Sequence, residues 1–227
     1  MIGGKKIAEG GYGCVFHPTI NCKAKETNDK KFISKLQFSD FSSKNEINIG
    51  EYLKNKFKND KDNALINNFA PVVSSCYVDK SKFKKDIIND CKVLQKFSSS
   101  KEISVIKIRY IDMDIFDKYI LKNVDKNFII LTLMSSYNHL LDSIGKLIDV
   151  FIVHFDLKGP NVVFDIKRNV PIIIDFGLSF NINDINSESI FNYFYVYAPQ
   201  YYIWPLEVHY LNYILHVKEN PTNNELK

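Results

Sequence analysis

Arginine is nearly missing from this chain: of 30 basic residues only Arg109 and Arg168 are Arg, and the rest are Lys. Against 26 acidic residues this leaves a net charge of +4, a mild excess that favours polyanionic ligands without demanding nucleic acid as a partner. The four cysteines, Cys14, Cys22, Cys76 and Cys91, show no C-x-x-C spacing. Neither a zinc site nor a secreted disulfide framework is therefore expected, and a reducing cytosol is the compartment that fits. No apolar run reaches the length of a membrane span, and Met1-Ile2-Gly3-Gly4-Lys5-Lys6 lacks the apolar core of a signal peptide. Ile2 stands where N-myristoylation requires glycine. The expected location is thus cytoplasmic, with no membrane partner, and no internal repeat divides the chain. What is present is 227 residues, 45% hydrophobic and 14% aromatic, enough for one large domain or two small lobes around a sizeable core.

The chemistry concentrates between His154 and Gly177. His154-Phe155-Asp156-Leu157-Lys158-Gly159-Pro160-Asn161 is followed by Val162-Val163-Phe164, and then by Ile172-Ile173-Ile174-Asp175-Phe176-Gly177. Polar groups beside short β-branched and aromatic runs are the pattern of loops leaving buried strands, which aims them into one cleft. Phosphoryl transfer to a hydroxyl needs a carboxylate to orient the acceptor, a cation near the moving phosphate and oxygen ligands for Mg²⁺. This stretch supplies each of those parts.

The stretch resembles the catalytic and metal-binding segments of eukaryotic-type protein kinases, H-R-D-L-x-x-x-N followed by D-F-G. The resemblance implies Asp156 as catalytic base, Lys158 as the contact to the γ-phosphate, and Asn161 and Asp175 as the holders of Mg²⁺. Lys158 two residues after Asp156 is the serine/threonine type of that motif. The implied fold is α+β and bilobal: a small antiparallel β-sheet lobe with one helix over residues 1–109, and a mainly helical large lobe over 110–227. Phe155 at the second motif position, the Lys- and Asn-rich composition and the Trp204-Pro205-Leu206-Glu207 ending look like the short kinase-like proteins of giant DNA viruses, which would place the chain in host cytoplasm or virion.

Upstream, Ile7 to Phe16 reads as strand, glycine turn, strand, with Gly10, Gly11 and Gly13 in the turn. It is similar to the family's G-x-G-x-x-G-x-V loop over the phosphates, with Ala8 at the first glycine and Val15 at the valine. Lys31 to Leu36 reads as a short strand carrying Lys35, the counterpart of the family's phosphate-binding lysine, with Ile33 where a small residue usually packs on adenine. Residues 44–57 have helical apolar spacing after a cap-like Ser42-Ser43 pair. Glu46, beside the face of Ile49 and Leu53, is the expected partner of Lys35, and Glu51 the alternative. Phe69 to Val78 reads as a strand. Lys80 to Ser100 reads as a Lys- and Ser-rich insertion with a helix around Ile87 to Phe97, a solvated face with no chemistry assigned.

Ile103 to Tyr110 alternates like a half-buried strand and leads to the implied adenine-binding hinge at Tyr110 to Asp112, with Val163 as a further implied cofactor-binding residue. Two helices should fill the interval to His154: Ile115 to Leu121, and Phe128 to Val150 with Leu131, Leu133, Met134, Leu140, Leu141, Ile144, Leu147 and Ile148 facing inward. Tyr137 and His139 are expected on the surface. After Gly177, residues 178–197 look like an activation segment with Ser179, Ser187, Ser189 and Tyr193 as phosphate acceptors. Phe155 replaces the arginine that would grip such a phosphate. Tyr197-Ala198-Pro199-Gln200 and Trp204-Pro205-Leu206-Glu207 compete for the end of that segment. One helix, Leu206 to Val217, follows, so the large lobe is truncated and a partner is expected over its apolar underside. The implied activity is transfer of the ATP γ-phosphate to a protein serine or threonine with Mg²⁺. The alternatives are a pseudokinase or nucleotide-binding module, and a kinase of small molecules or lipids.

Overall fold

The computed structural model describes residues 4–22, 29–96, 102–186, 198, 200–220, 222 and 224. Five antiparallel strands form its main sheet: β1 (Lys5–Glu9), β2 (Gly13–His17), β3 (Phe32–Phe38), β4 (Val72–Asp79) and β5 (Glu102–Arg109), in the order β1-β2-β3-β5-β4. The α+β expectation holds at this level: an antiparallel five-stranded sheet joined to helices. Pairing of Lys35 with Val15 on one side and Ile106 on the other fixes the register. Because side chains alternate along a strand, Leu36 then points to one face of the sheet and Lys35 and Gln37 to the other.

The first face is covered by the insertion after β4. Helices α3 (Lys85–Asp90) and α4 (Lys92–Gln95), with Phe83 before them and Cys91 between them, set Ile87 and Leu94 against Phe16, Leu36, Ile103 and Val105. The insertion is therefore a core element and not only a solvated face. Its lysines point outward while a few apolar residues at helical spacing reach in, each fully buried side chain contributing about 1.5–3 kcal/mol. Two disulfides tie this layer together, Cys14–Cys91 and Cys22–Cys76, with Cα separations of 5.9 and 6.2 Å. They correct the expectation of free thiols. Partners 77 and 54 residues apart leave no local spacing signal, since the sheet and its insertion are what bring them together. Disulfides persist in oxidising surroundings, which weighs against the reducing compartment inferred from spacing.

The other face of the sheet meets α1 (Phe41–Lys56). This helix begins one turn earlier than apolar spacing suggests. Asp40 caps it by accepting from the Ser43 amide, while the Ser43 hydroxyl accepts from the Asp40 amide, a reciprocal arrangement worth about 1 kcal/mol. Lys54 and Lys56 in its last turn suit the negative end of the helix dipole. Gly50 faces β4 so closely that a Cβ there would lie 2.8 Å from the Val72 Cβ.

Beyond β5 come β6 (Met113–Ile115), α5 (Phe116–Asn123) and α6 (Ile129–Asp149), then β7 (Ile152–Val153), β8 (Val162–Asp165), β9 (Val170–Ile173) and β10 (Phe180–Asn181). Strands β6, β8 and β9 form one small sheet, and β7 pairs with β10. A one-turn helix, α2 (Ala64–Asn67), leads to Phe69, which joins Ile49 and Leu53 of α1 to Leu147, Ile152, Ile173 and Phe176 in a second core cluster. The two arginines both converge on buried Asp165: Arg168 at 2.9 Å and Arg109 at 3.8 Å. The last helix, α7, spans Leu206–His216.

Helix α6 departs from its expected packing. Leu147 is buried and Leu140 and Ile144 half-buried, but Leu131, Leu133, Met134, Leu141 and Ile148 are exposed. The helix is apolar on most of its circumference; it packs on β7 and β9, its Ser143 accepts from the Asn68 side-chain amide at 2.8 Å, and α5 also touches it. Tyr137 is exposed as expected, while His139 is half-buried with Nε2 2.9 Å from the Asn67 carbonyl. No helix of the described residues is long and apolar enough to cross a membrane.

The disulfides generate the first test. Thiol titration of the chain unfolded without reductant should find no free cysteine, and reduction should lower stability by about 2–4 kcal/mol per bridge, read as a fall in the urea midpoint. Four titratable thiols in the native preparation would contradict this arrangement.

Candidate functional site

The site is built around Lys35. Its ammonium lies 2.8 Å from Glu46 Oε2 and 3.0 Å from Asp175 Oδ1, so one cation joins β3, α1 and the loop after β9. Glu46 is 2% exposed, a depth at which an unpaired carboxylate would be costly. Gln37, two residues beyond Lys35 on the same sheet face, donates to the same Glu46 oxygen at 3.2 Å. Glu51 lies exposed on α1 and takes no part. Burial works against charge on Lys35, but Glu46 and Asp175 outweigh it and push its pKa up. Desolvation raises the Glu46 carboxyl above its ordinary value, opposed in part by Lys35. Desolvation also acts to raise Asp175, but the Lys35 charge and hydrogen bond, with the Gly177 amide, hold it below the usual carboxylate range.

The second half of the site is the loop after β7. Asn161 donates through Nδ2 to both the main-chain carbonyl and Oδ2 of Asp156, each at 2.9 Å. This fixes the carboxylate, which is 7% exposed. Lys158 reaches Asp156 Oδ1 at 2.8 Å. The Ile174 amide donates to the Asn161 carbonyl at 3.0 Å, tying the Asp156 loop to the one bearing Asp175. His154 completes the tie: Nε2 donates to the Ile174 carbonyl at 3.0 Å, and Nδ1 accepts from the Asp156 amide at 3.3 Å. Those roles require the neutral ring, and burial accordingly lowers its pKa. Phe155 and Asp175 both adopt left-handed backbone, φ 61° and 64°, a conformation costing side-chain-bearing residues about 1–2 kcal/mol that recurs at functional sites.

The glycine turn lies at the sheet margin. The Gly10 amide donates to the Gly13 carbonyl at 2.9 Å, and Ala8, Gly10 and Gly11 are exposed while Val15 is half-buried beside Lys35. Gly13 is buried, and a Cβ there would strike the Leu36 carbonyl at 2.2 Å. Tyr110 stacks on His17 at 4.1 Å, and its amide donates to the Lys31 carbonyl at 2.8 Å, so the N–H at this hinge position is already committed. Val163 is buried with Ala70, Ile111 and Ile172.

Several site features have no local sequence signal. Phe155 stacks on Trp204 at 5.0 Å and meets the edge of Phe180 at 5.2 Å. Trp204 Nε1 donates to the Phe155 carbonyl at 3.0 Å. Tyr201 donates through its phenol to Asp156 Oδ1 and accepts from Lys158 at 2.7 Å. Asn45 donates to the Gly177 and Ser179 carbonyls at 3.0 and 2.7 Å. Only Gln37 was readable in advance, from its two-residue offset to Lys35. Ser179 is buried, donating to the His154 carbonyl at 3.0 Å, which corrects the expectation that it is a phosphate acceptor. Ser187, Ser189, Tyr193, Tyr197 and Pro199 lie outside the described residues. Glu207 is exposed in the first turn of α7.

No family model matches the chain. It is similar to the probable serine/threonine-protein kinase fnkB of Dictyostelium discoideum, 30% identical over 160 residues. The match covers 62% of this chain and 29% of that protein, so the chain spans less than a third of its relative. The likeness is of the protein-kinase kind.

Two tests follow from this geometry. Lys35→Met leaves Glu46 buried without its cation and should cost about 3–5 kcal/mol at neutral pH. The deficit should narrow on acidification, because Glu46 can then take up a proton in the folded state; denaturant melts at several pH values read both. His154 is lowered in the folded state, so the unfolded chain binds the extra proton first. Stability should fall as pH drops below about 6.5, with a shallower fall in His154→Gln; equal slopes would remove His154 from the account.

Proposed function

We propose that the chain is a serine/threonine protein kinase using ATP and Mg²⁺. The observation that carries this reading is the single cation of Lys35 joined to Glu46 and Asp175, beside an Asp156 carboxylate held by Asn161. Positioning and charge neutralisation supply most of the rate in phosphoryl transfer, and the groups for both converge here. In this reading residues 1–109 form a nucleotide-binding lobe and 110–227 a catalytic lobe. Lys35 contacts the α- and β-phosphates, and the Gly10 to Gly13 turn covers them.

Asn161 and Asp175 would hold Mg²⁺. The donor set fits, since both offer oxygen, which hard cations prefer, and Lys35 keeps the Asp175 carboxyl ionised. The bound ion would neutralise phosphate charge. Asp156 orients the acceptor hydroxyl and receives its proton, and Lys158 steadies the transferring group. The likeness to a probable serine/threonine kinase supports the choice of acceptor. A nucleotide-binding module without transfer is the second reading, favoured by the Tyr201 phenol resting on Asp156.

ATP with Mg²⁺ should raise the melting temperature by mass action. Incubation with ATP and a generic basic protein should yield phosphoserine or phosphothreonine, and Asp156→Asn should lower the rate by 10²-fold or more, the usual scale for a lost acid–base group. No melting shift at millimolar ATP would sink both readings. A shift without transfer would favour the binding module.

A further inference from the structure

The glycine turn is held from the side of the sheet that faces away from Lys35. Glu9 and Cys14 pair across the β1–β2 hairpin, so they close the turn that carries Gly10, Gly11 and Tyr12. Cys14 also pairs with Leu36, and Val15 with Lys35. Alternation along a strand therefore turns the Cys14 sulfur toward the insertion and the Val15 side chain toward the site. Both closing residues are tied to the short joint between α3 and α4. Cys14 is bonded to Cys91, and Glu9 Oε1 accepts from the Lys92 amide at 2.7 Å. Lys6, earlier on β1, donates to the Asp90 carbonyl and, at 2.7 Å, to Glu9 Oε2. Successive residues 90, 91 and 92 thus grip the hairpin at positions 6, 14 and 9.

The grip is rooted in the core. Cys14 and Cys91 are both fully buried, in one cluster with Phe16, Ile87 and Leu94. The tip of the turn, by contrast, stands free. Tyr12 is 58% exposed, and a Cβ on Gly10 or Gly11 would meet nothing within 4 Å. The other bridge, Cys22–Cys76, lies outside the turn: it joins the connection after β2 to β4, and both of its residues are half-buried.

We infer that Asp90, Cys91 and Lys92 form a clamp that positions the glycine turn for a nucleotide's phosphates, and that the Cys14–Cys91 bond makes nucleotide affinity depend on oxidation state. The inference rests on the kinase reading above and gives the insertion a part in it. A turn with held ends and an open tip moves as a short lid hinged at the Glu9–Cys14 pair. Backbone fixed in advance need not be ordered by the ligand, and ordering one freed residue on binding weakens affinity about tenfold. The clamp opens by reduction with a dithiol. The sulfur–sulfur bond breaks, Cys14 and Cys91 each become a thiol, and the dithiol, having given up the electron pair and both protons, closes into a cyclic disulfide. Glu9 and Lys6 then hold the hairpin alone, through surface contacts for which water competes. Exchange requires access to a sulfur, so the half-buried Cys22–Cys76 bridge opens first and the buried Cys14–Cys91 bridge second.

The test uses the full chain with ATP and Mg²⁺, titrated calorimetrically during stepwise reduction with dithiothreitol, with thiol labelling and peptide mass spectrometry to assign each bridge. Opening of Cys22–Cys76 should leave the dissociation constant for ATP unchanged. Opening of Cys14–Cys91 should raise it about tenfold, and reoxidation should restore it. Cys14→Ser/Cys91→Ser should bind as weakly as the reduced chain under either condition. Cys22→Ser/Cys76→Ser should bind like the oxidised parent until its remaining bridge opens. Glu9→Ala keeps both bridges and should raise the constant about threefold, the scale of one hydrogen bond; it carries the test if the first variant does not fold. In transfer to a generic basic protein the loss should appear in KM for ATP with kcat unchanged, a split that general loss of stability does not produce. Equal affinity before and after opening of Cys14–Cys91 would overturn the clamp and leave the kinase reading standing. So would equal losses from both bridges, since those report stability alone. An oxidised parent that does not bind ATP would remove the functional reading and the clamp with it.

Discussion

A buried carboxylate must be paired, and Glu46 is paired through Lys35. That requirement reaches far into the molecule. Lys35 can serve only if β3 holds its register between β2 and β5, because a one-residue slip would turn the ammonium toward the insertion side of the sheet. Glu46 can serve only if α1 stays docked, which depends on its Asp40 cap and on the close approach of Gly50 to Val72. Asp175 then completes the group from the loop after β9. Three segments thus share one charge, and loss of Lys35 leaves both carboxylates without their cation.

The site was legible where chemistry and spacing coincide. The His154 to Gly177 stretch places its polar residues just outside short apolar strands, and the structure sets them on adjoining loops tied through Ile174. Glu46 could be singled out from its neighbours on the helix face, since Ile49 and Leu53 mark the inward side. The helices after β5 were legible in extent but not in orientation. On α6, apolar residues surround the axis, so periodicity cannot say which side packs; that was settled by contact with β7 and β9. The insertion after β4 misled for the opposite reason. Its abundant lysines mask the few side chains that fill the sheet face. The cysteine pairs and the Tyr201 contact are products of tertiary proximity, with no periodicity or spacing to announce them.

The aromatic replacement at position 155 gives coherence to the region near Asp156. A guanidinium there would await an anionic partner. Phe155 instead recruits Trp204 by stacking, and Trp204 brings Tyr201 onto the carboxylate. Packing thus does the work that charge pairing would otherwise do, in a chain whose only two arginines are committed to Asp165. The arrangement makes access to Asp156 a question of whether one turn stays docked.

The left-handed backbone at Phe155 and Asp175 carries a lesson for mutational tolerance. At both positions the side chain and the peptide geometry are separate constraints. β-branched replacements would be rejected by the main chain before their chemistry mattered. Asparagine, which accepts this geometry more readily than most residues, would keep the fold at 175 while discarding the charge. A saturation library should therefore show a narrow, backbone-defined set of survivors at these two codons, unlike the broad set permitted at the exposed loop residues Gly159 and Pro160.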